Sequence, residues 1–175
     1  MVGAMPEQLR SLAQPSARFA GDTGVADPLT RRALAGVSDQ TSYVRAIVAL
    51  CASRLLMPIV ASGDETDHPD PDRHAEMAAV TLESGGVTHL LAFTGLDAMQ
   101  AWNLRARPVL CLLDELAATV AASHSTCLLI DVAGPVPLVI EGEILELLAA
   151  GHALVELGDG EFAWVKPAGH GEDLG

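Results

Sequence analysis

The residues best suited to do chemistry are few and scattered. Thr94 and Asp97 stand three positions apart, Arg54 and Arg107 each border an apolar run, Trp102 lies between them, and Asp131 ends the most continuous apolar run in the chain. A carboxylate there is costly to bury alone, so Asp131 must stand in water at a strand end or pair with an arginine such as Arg54 or Arg107. The Thr94-x-x-Asp97 spacing has two readings. It can place free N–H groups of a helix start around an anion, or it can be a capping box that needs no ligand, and the second is the simpler. Trp102 and Arg107 are types that dominate binding hot spots. Equally, Trp102 can fill the core beside Leu96 and Met99 while Arg107 bonds a helix-end carbonyl or Asp131. The candidate ligand- or partner-binding set is therefore Arg54, Thr94, Trp102, Arg107 and Asp131.

Other constellations lead away from catalysis. Asp64, Glu65, Asp67, His68, Asp70, Asp72 and His74 crowd one stretch, but Pro69 and Pro71 interrupt the alternation, and the glycine and glutamate of a calcium loop are missing. A solvated loop is expected, with no metal. Six histidines form no His-x-x-x-His pair. Cys51, Cys111 and Cys127 have no short spacing and sit in apolar runs, which suits buried free thiols rather than disulfides or zinc. No Gly-x-Ser-x-Gly, Gly-x-Gly-x-x-Gly or P-loop pattern occurs. No catalytic residue and no cofactor is expected.

The elements that must position these residues follow from composition and periodicity. The 175 residues are half hydrophobic yet only 3% aromatic, so Leu, Val, Ile and Ala must build the core of a single domain. A net charge of −13, with one lysine, Lys166, leaves no basic stripe for phosphates, so nucleic acid and anionic membrane are excluded as partners. No apolar run reaches the roughly 20 residues of a membrane span, and no secretory signal pattern is present. With unpaired cysteines, this makes the cytoplasm the expected location.

Residues 1–20 read as a mobile tail with a short helix near Glu7 to Gln14. Asp27-Pro28 opens a helix, with Asp27 as cap. Thr41 to Leu56 carries a helical stripe capped by Thr41 or Ser42, and Met57 to Ala61 is a strand after it. Residues 62–74 form a polar loop. Met77–Leu82 and Val87–Phe93 make a hairpin around Ser84-Gly85-Gly86. A helix from Thr94 to Trp102, a strand over Val109–Leu112 and a helix ending near Ala122 follow. Cys127–Val132 reads as a strand covered on both faces, and Pro137–Ile140 as its successor. A helix over Glu143–Ala150 stops at Gly151, and a hairpin surrounds Gly158-Asp159-Gly160. Strands and helices alternate only in the middle. The expectation is an α+β single domain, a mixed β-sheet packed by helices, over residues 21–166, with a polar C-terminal tail over 167–175.

Several blocks in this order resemble a known family. Ser53-Arg54-Leu55-Leu56-Met57-Pro58-Ile59-Val60-Ala61, Asp22-Thr23-Gly24 with Ala26-Asp27-Pro28, and Phe93-Thr94-Gly95-Leu96-Asp97-Ala98 with Trp102 and Arg107-Pro108-Val109 are similar to segments of the SseB family, in its actinobacterial form. Asp131-Val132-Ala133-Gly134-Pro135-Val136, and Glu141-Gly142 with Leu145 and Leu148-Ala149, match later blocks. The resemblance spans about residues 20–157. Gly95, Asn103, Cys111 and Leu112 depart from the common pattern. The family name refers to serine sensitivity, a phenotype and not a reaction, so the resemblance implies a small domain of uncharacterised role, sometimes found beside a second domain. Taken with the missing catalytic constellation, the expected function is a non-enzymatic protein-binding or adaptor module acting through a protein partner or self-association. The alternative is a small-ligand binder or enzyme of unfamiliar type with a polar pocket near Arg54, Thr94, Arg107 and Asp131.

Overall fold

The structure, a computed structural model, describes residues 17–61, 77–134 and 136–168. The helix expected near Glu7–Gln14 and the acidic loop lie outside the described residues. The described chain begins in a 3-10 turn, Ala17–Phe19, whose Arg18 pairs with Glu115 at 2.5 Å. Asp27 then caps α1 (Pro28–Ala35) by accepting from the Thr30 amide at 2.8 Å, and Pro28 occupies the first turn, where its missing N–H has no helical partner to lose.

The helix expected over Thr41–Leu56 is shorter, α2 (Gln40–Cys51), and its cap is Asp39 rather than Thr41 or Ser42. Asp39 accepts from the Ser42 amide at 2.8 Å while Ser42 Oγ accepts from the Asp39 amide at 2.9 Å, a reciprocal box that satisfies two otherwise orphan donors. The apolar stripe continues past Cys51 because Leu55 to Ile59 are also buried, but in a strand. In β1 (Leu55–Ala61), Leu55, Met57 and Ile59 enter one core and Leu56 enters another. That period of two is the strand signature that the helical reading absorbed.

The run expected as one strand over Met77–Leu82 is divided at Val80 into β2 (Met77–Ala79) and β3 (Thr81–Ser84). β2 pairs with β1, whereas β3 turns to pair with β4 (Val87–Ala92). Gly85 and Gly86, with φ of 61° and 79°, make the tight hairpin link; both need the left-handed region that glycine enters freely. Next come α3 (Leu96–Trp102), β5 (Arg107–Cys111), α4 (Leu113–Ala122), β6 (Cys127–Ile130), β7 (Leu138–Ile140), α5 (Gly142–Ala149), β8 (Ala153–Gly158) and β9 (Glu161–Val165).

The strands order as β2-β1-β5, β3-β4-β6-β7 and the hairpin β8-β9. Among the described strands, only β4 and β6 run parallel. Leu56 and Phe93 exchange two backbone bonds of 2.8 Å and join the first two groups. The fold is thus an α+β single domain with mixed sheets. Pro58 faces Pro108 across β1 and β5. Neither breaks that ladder, because Leu56 and Pro58 turn their backbone groups away from β5, Leu56 toward Phe93 and the Pro58 carbonyl toward the Val80 amide at 3.4 Å, which leaves the alternate residues to pair with β5.

Both faces of the central strands are buried. Leu90, Ala92, Leu128 and Ile130 meet residues of α1, α2, α4 and α5 on one face; Leu91, Phe93 and Leu129 meet Ala98 and Met99 of α3 on the other. All four residues of β6 are buried, as its continuous apolar run implies. Phe93 is fully buried, bridges the strand groups through its backbone and packs its ring 5.7 Å from that of Trp102. Phe93→Ala is therefore expected to lower stability by about 3–5 kcal/mol, read as a shift in urea midpoint with an unchanged slope.

Candidate functional site

The carboxyl ends of the parallel strands β4 and β6 carry Thr94 and the buried charged residue Asp131. Ala92 pairs with Ile130, so Thr94 and Asp131 emerge side by side, and the Asp131 amide donates to the Ala92 carbonyl at 3.0 Å. Asp131 is 2% exposed and holds φ at 51°, the left-handed region. That conformation folds its carboxylate back over the strand end. The following turn closes when the Gly134 amide donates to the Asp131 carbonyl at 2.8 Å, where a Cβ on Gly134 would lie 2.9 Å from that of Asp131.

Both carboxylate oxygens of Asp131 are claimed by Thr94. The Thr94 amide donates to Oδ1 at 2.8 Å and the hydroxyl donates to Oδ2 at 2.6 Å. This corrects the capping-box reading: the cap position of α3 is Gly95, which has no side chain to offer, and the Thr94 hydroxyl faces inward. The positive charge that makes this burial tolerable comes from Arg31 of α1. Its Nε donates to Thr94 Oγ1 at 2.5 Å and lies 3.6 Å from Asp131 Oδ2, while its two terminal nitrogens grip Asp97 at 3.0 and 2.7 Å. Asp131 therefore pairs with Arg31, and neither Arg54 nor Arg107 bonds its carboxylate.

Arg54, just before β1, closes the other side. It donates to the Thr94 carbonyl at 2.7 Å, to the Val25 carbonyl at 2.6 Å and to both oxygens of Asp22 at 2.7 and 3.0 Å. These bonds tie the Gly21–Asp27 segment to the strand ends. The Leu96 amide adds a bond to the Gly24 carbonyl at 2.8 Å. Gly95 must lack a side chain here, since a Cβ would come within 2.8 Å of Ala26.

Of the five candidate residues, Arg54, Thr94 and Asp131 come together. Trp102 sits half-buried at the far end of α3, against Phe93. Arg107 is exposed and pairs with Ile59, whereas Arg54 precedes Leu55, so the two arginines lie toward opposite ends of β1. Sequence reasoning missed Arg31, Asp97 as its partner, and Asp22. The available signal was Arg31 one turn into a helix opened by Asp27-Pro28.

Pairing shifts the titration of the outer members. The Arg31 guanidinium holds the Asp97 carboxyl below its ordinary value, and Asp97 in turn raises Arg31; Arg54 holds Asp22 below its ordinary value in the same way. Among the described residues, no buried side-chain nitrogen or oxygen lacks a partner, and no three His, Cys, Asp or Glu groups are placed to hold a metal ion. No helix of the described residues is long and apolar enough to cross a membrane.

Beside the network runs an open groove of about 630 Å³ between α1, α2 and the Gly21–Asp27 segment, lined by Val25, Leu29, Val48, Ala52, Ser53 and Arg54 among others. Val25 and Leu29 are 74% and 70% exposed.

Two outcomes are expected. Asp131→Ala strands the Thr94 donors and removes the buried partner of Arg31, so it should cost about 3–5 kcal/mol in a urea titration, with Asp131→Asn costing less because it keeps an acceptor and tolerates φ above zero. Because the folded carboxyls of Asp22 and Asp97 titrate lower than unfolded ones, their contribution is complete above the unfolded value of about 3.9 and disappears as pH falls through the lower folded values. Asp22→Asn should therefore flatten the loss of urea midpoint between about pH 5 and pH 3.

The described geometry can be set beside known proteins. The family model of the SseB protein N-terminal domain matches residues 31–147, about two-thirds of the chain, and so covers Arg31, Arg54, Thr94, Asp97 and Asp131 but not Asp22. No curated protein and no solved structure matches. The chain belongs to the SseB family, with the N-terminal domain of that family forming its core.

Proposed function

We propose that this domain is a non-enzymatic, cytoplasmic protein-binding module, an adaptor or regulatory piece that takes an apolar side chain of another protein into the groove between α1 and α2. One contrast supports the reading. The polar groups that a reaction would need are closed on one another, because Arg31, Arg54, Thr94 and Asp131 direct their donors and acceptors to each other, to Asp97 and Asp22, and to backbone. The groove beside them instead presents large apolar side chains, Val25 and Leu29, to water. Exposed apolar residues gathered on one concavity mark interaction sites more often than scattered ones do. The net charge of −13 favours a partner with basic residues flanking its apolar anchor and disfavours nucleic acid.

The small-ligand reading loses support at the same place. A pocket around Arg54, Thr94, Arg107 and Asp131 would need free donors aimed at a common point. Arg107 lies elsewhere, and Arg54 bonds Asp22, Val25 and Thr94.

The test is affinity capture from a native lysate of the source cell, using the wild-type chain and Leu29→Asp, with bound proteins and small molecules both identified by mass spectrometry. The expected result is a stoichiometric protein retained by the wild type and lost by Leu29→Asp, with the same urea midpoint for both chains. A co-purifying metabolite without a protein partner would overturn the reading, as would a partner that Leu29→Asp retains.

A further inference from the structure

Away from this network, the structure assembles a second polar pair that no sequence spacing shows. His89 of β4 and Cys127 of β6 are register partners on the parallel strands, and Cys127 Sγ lies 2.8 Å from His89 Nδ1. They stand at the amino ends of these strands, opposite to Thr94 and Asp131. Cys127 is 1% exposed, as a packing thiol would be. Its surroundings are not those of a packing thiol. Leu128, Leu129 and Ile130 all enter one of the two apolar cores, and Cys127 enters neither. Its sulfur instead meets the imidazole, the Thr88 carbonyl at 3.9 Å and the Thr126 hydroxyl at 4.0 Å.

A carboxylate stands near the pair without joining it as a ligand. β7 ends at Ile140, opposite Leu128, and Glu141 follows it as the cap of α5. Glu141 is close enough for its charge to act on the Cys127 thiol, which burial already raises above its ordinary value. Glu141 is exposed and His89 is only half-buried, so solvent reaches the surroundings of the sulfur.

We propose that Cys127 and His89 are the two fixed ligands of a site for a borderline transition-metal ion of the zinc type, with water completing the coordination. The protein's donor set is one sulfur and one imidazole nitrogen, types that such ions select. The two fixed donor atoms already converge, and an ion needs them only slightly further apart. On binding, the thiol gives its proton to solvent and the neutral imidazole keeps its Nδ1 lone pair for the ion. With two fixed ligands instead of four, the site suits reversible binding rather than a structural ion.

The experiment is a cadmium titration of the reduced, full-length chain, read as the ultraviolet charge-transfer absorption of a cadmium–thiolate bond, followed by zinc competition. The wild type is expected to saturate at one ion, zinc to displace the signal, and the signal to fall as the solution is acidified. Cys127→Ser should abolish it, His89→Ala should weaken apparent affinity by tenfold or more, and Cys51→Ser should leave it unchanged. Circular dichroism checks that each variant is folded; should Cys127→Ser fail to fold, His89→Ala decides alone. An absent charge-transfer signal in the wild type, a signal that survives in folded Cys127→Ser, or an affinity indifferent to His89→Ala would each overturn the site.

Discussion

Everything at the functional end of this domain is arranged around one buried negative charge. Asp131 follows a strand whose four residues are all buried, so its carboxylate has left water behind. An isolated carboxylate in such a place costs several kcal/mol, and the chain can keep it only by surrounding it with donors and a compensating cation. Thr94 supplies two donors from the neighbouring strand end, and Arg31 supplies the charge from a helix distant in sequence. The remaining contacts follow in turn. Arg31 needs Asp97 to use its other nitrogens. Arg54 takes the Thr94 carbonyl left over at the strand end and then needs Asp22 for its own charge. The Gly21–Asp27 segment is held in place as a result, and with it the apolar wall of the groove that Val25 and Leu29 form.

This dependence bears on the reading of the domain as a contact module. A ligand-binding arginine is normally held by one partner and left with a free edge for the ligand. Arg54 has none to spare, since its three nitrogens reach a carboxylate and two carbonyls. Arg31 is likewise divided between Thr94 and Asp97, although Asp97 is mostly exposed and is the weaker half of the arrangement. The polar network acts as scaffolding, and the surface it scaffolds is apolar. On a chain with so strong a negative charge, an apolar groove whose arginines are already paired offers contact area without long-range attraction of anions.

Much of the fold was legible because apolar spacing and turn residues agreed. Asp27-Pro28, the Gly85-Gly86 hairpin, the buried run of β6 and the stop at Gly151 each follow from a local physical cause visible in the sequence. The misreadings have a cause as well. The stripe through Tyr43, Ile47 and Leu50 continues into Leu55 and Leu56, and buried helix and buried strand look alike over so few residues, so the end of α2 and the start of β1 merged. Val80 divides one apolar run because two strands compete for it, and only the tertiary pairing shows that. In the site, Thr94 and Asp131 were visible as unusual polar residues beside apolar runs. Arg31 was not, because the short helix carries Arg32 beside it and the sequence does not mark which of the two turns inward. The Thr94-x-x-Asp97 spacing fitted a capping box locally, but a buried carboxylate elsewhere in the chain made the stronger demand on the threonine hydroxyl.

The same bond also selects the alignment of the parallel strands. β4 and β6 are buried on both faces and nearly uniform in character, with Leu90, Leu91 and Ala92 facing Leu128, Leu129 and Ile130. A slip of one residue would reverse which face each side chain meets, yet leucine would still meet leucine or isoleucine, so apolar packing alone discriminates poorly between registers. Polar groups at the strand ends discriminate sharply. Any slip parts Thr94 from both oxygens of Asp131 and leaves a charge buried without donors, and it moves Cys127 off His89 at the other end. The penalty for an unpaired buried charge exceeds that of an imperfect leucine contact. The costly polar residue is thus what makes the interchangeable apolar ones take a single arrangement, and that arrangement in turn brings a thiol and an imidazole together that lie 38 residues apart along the chain.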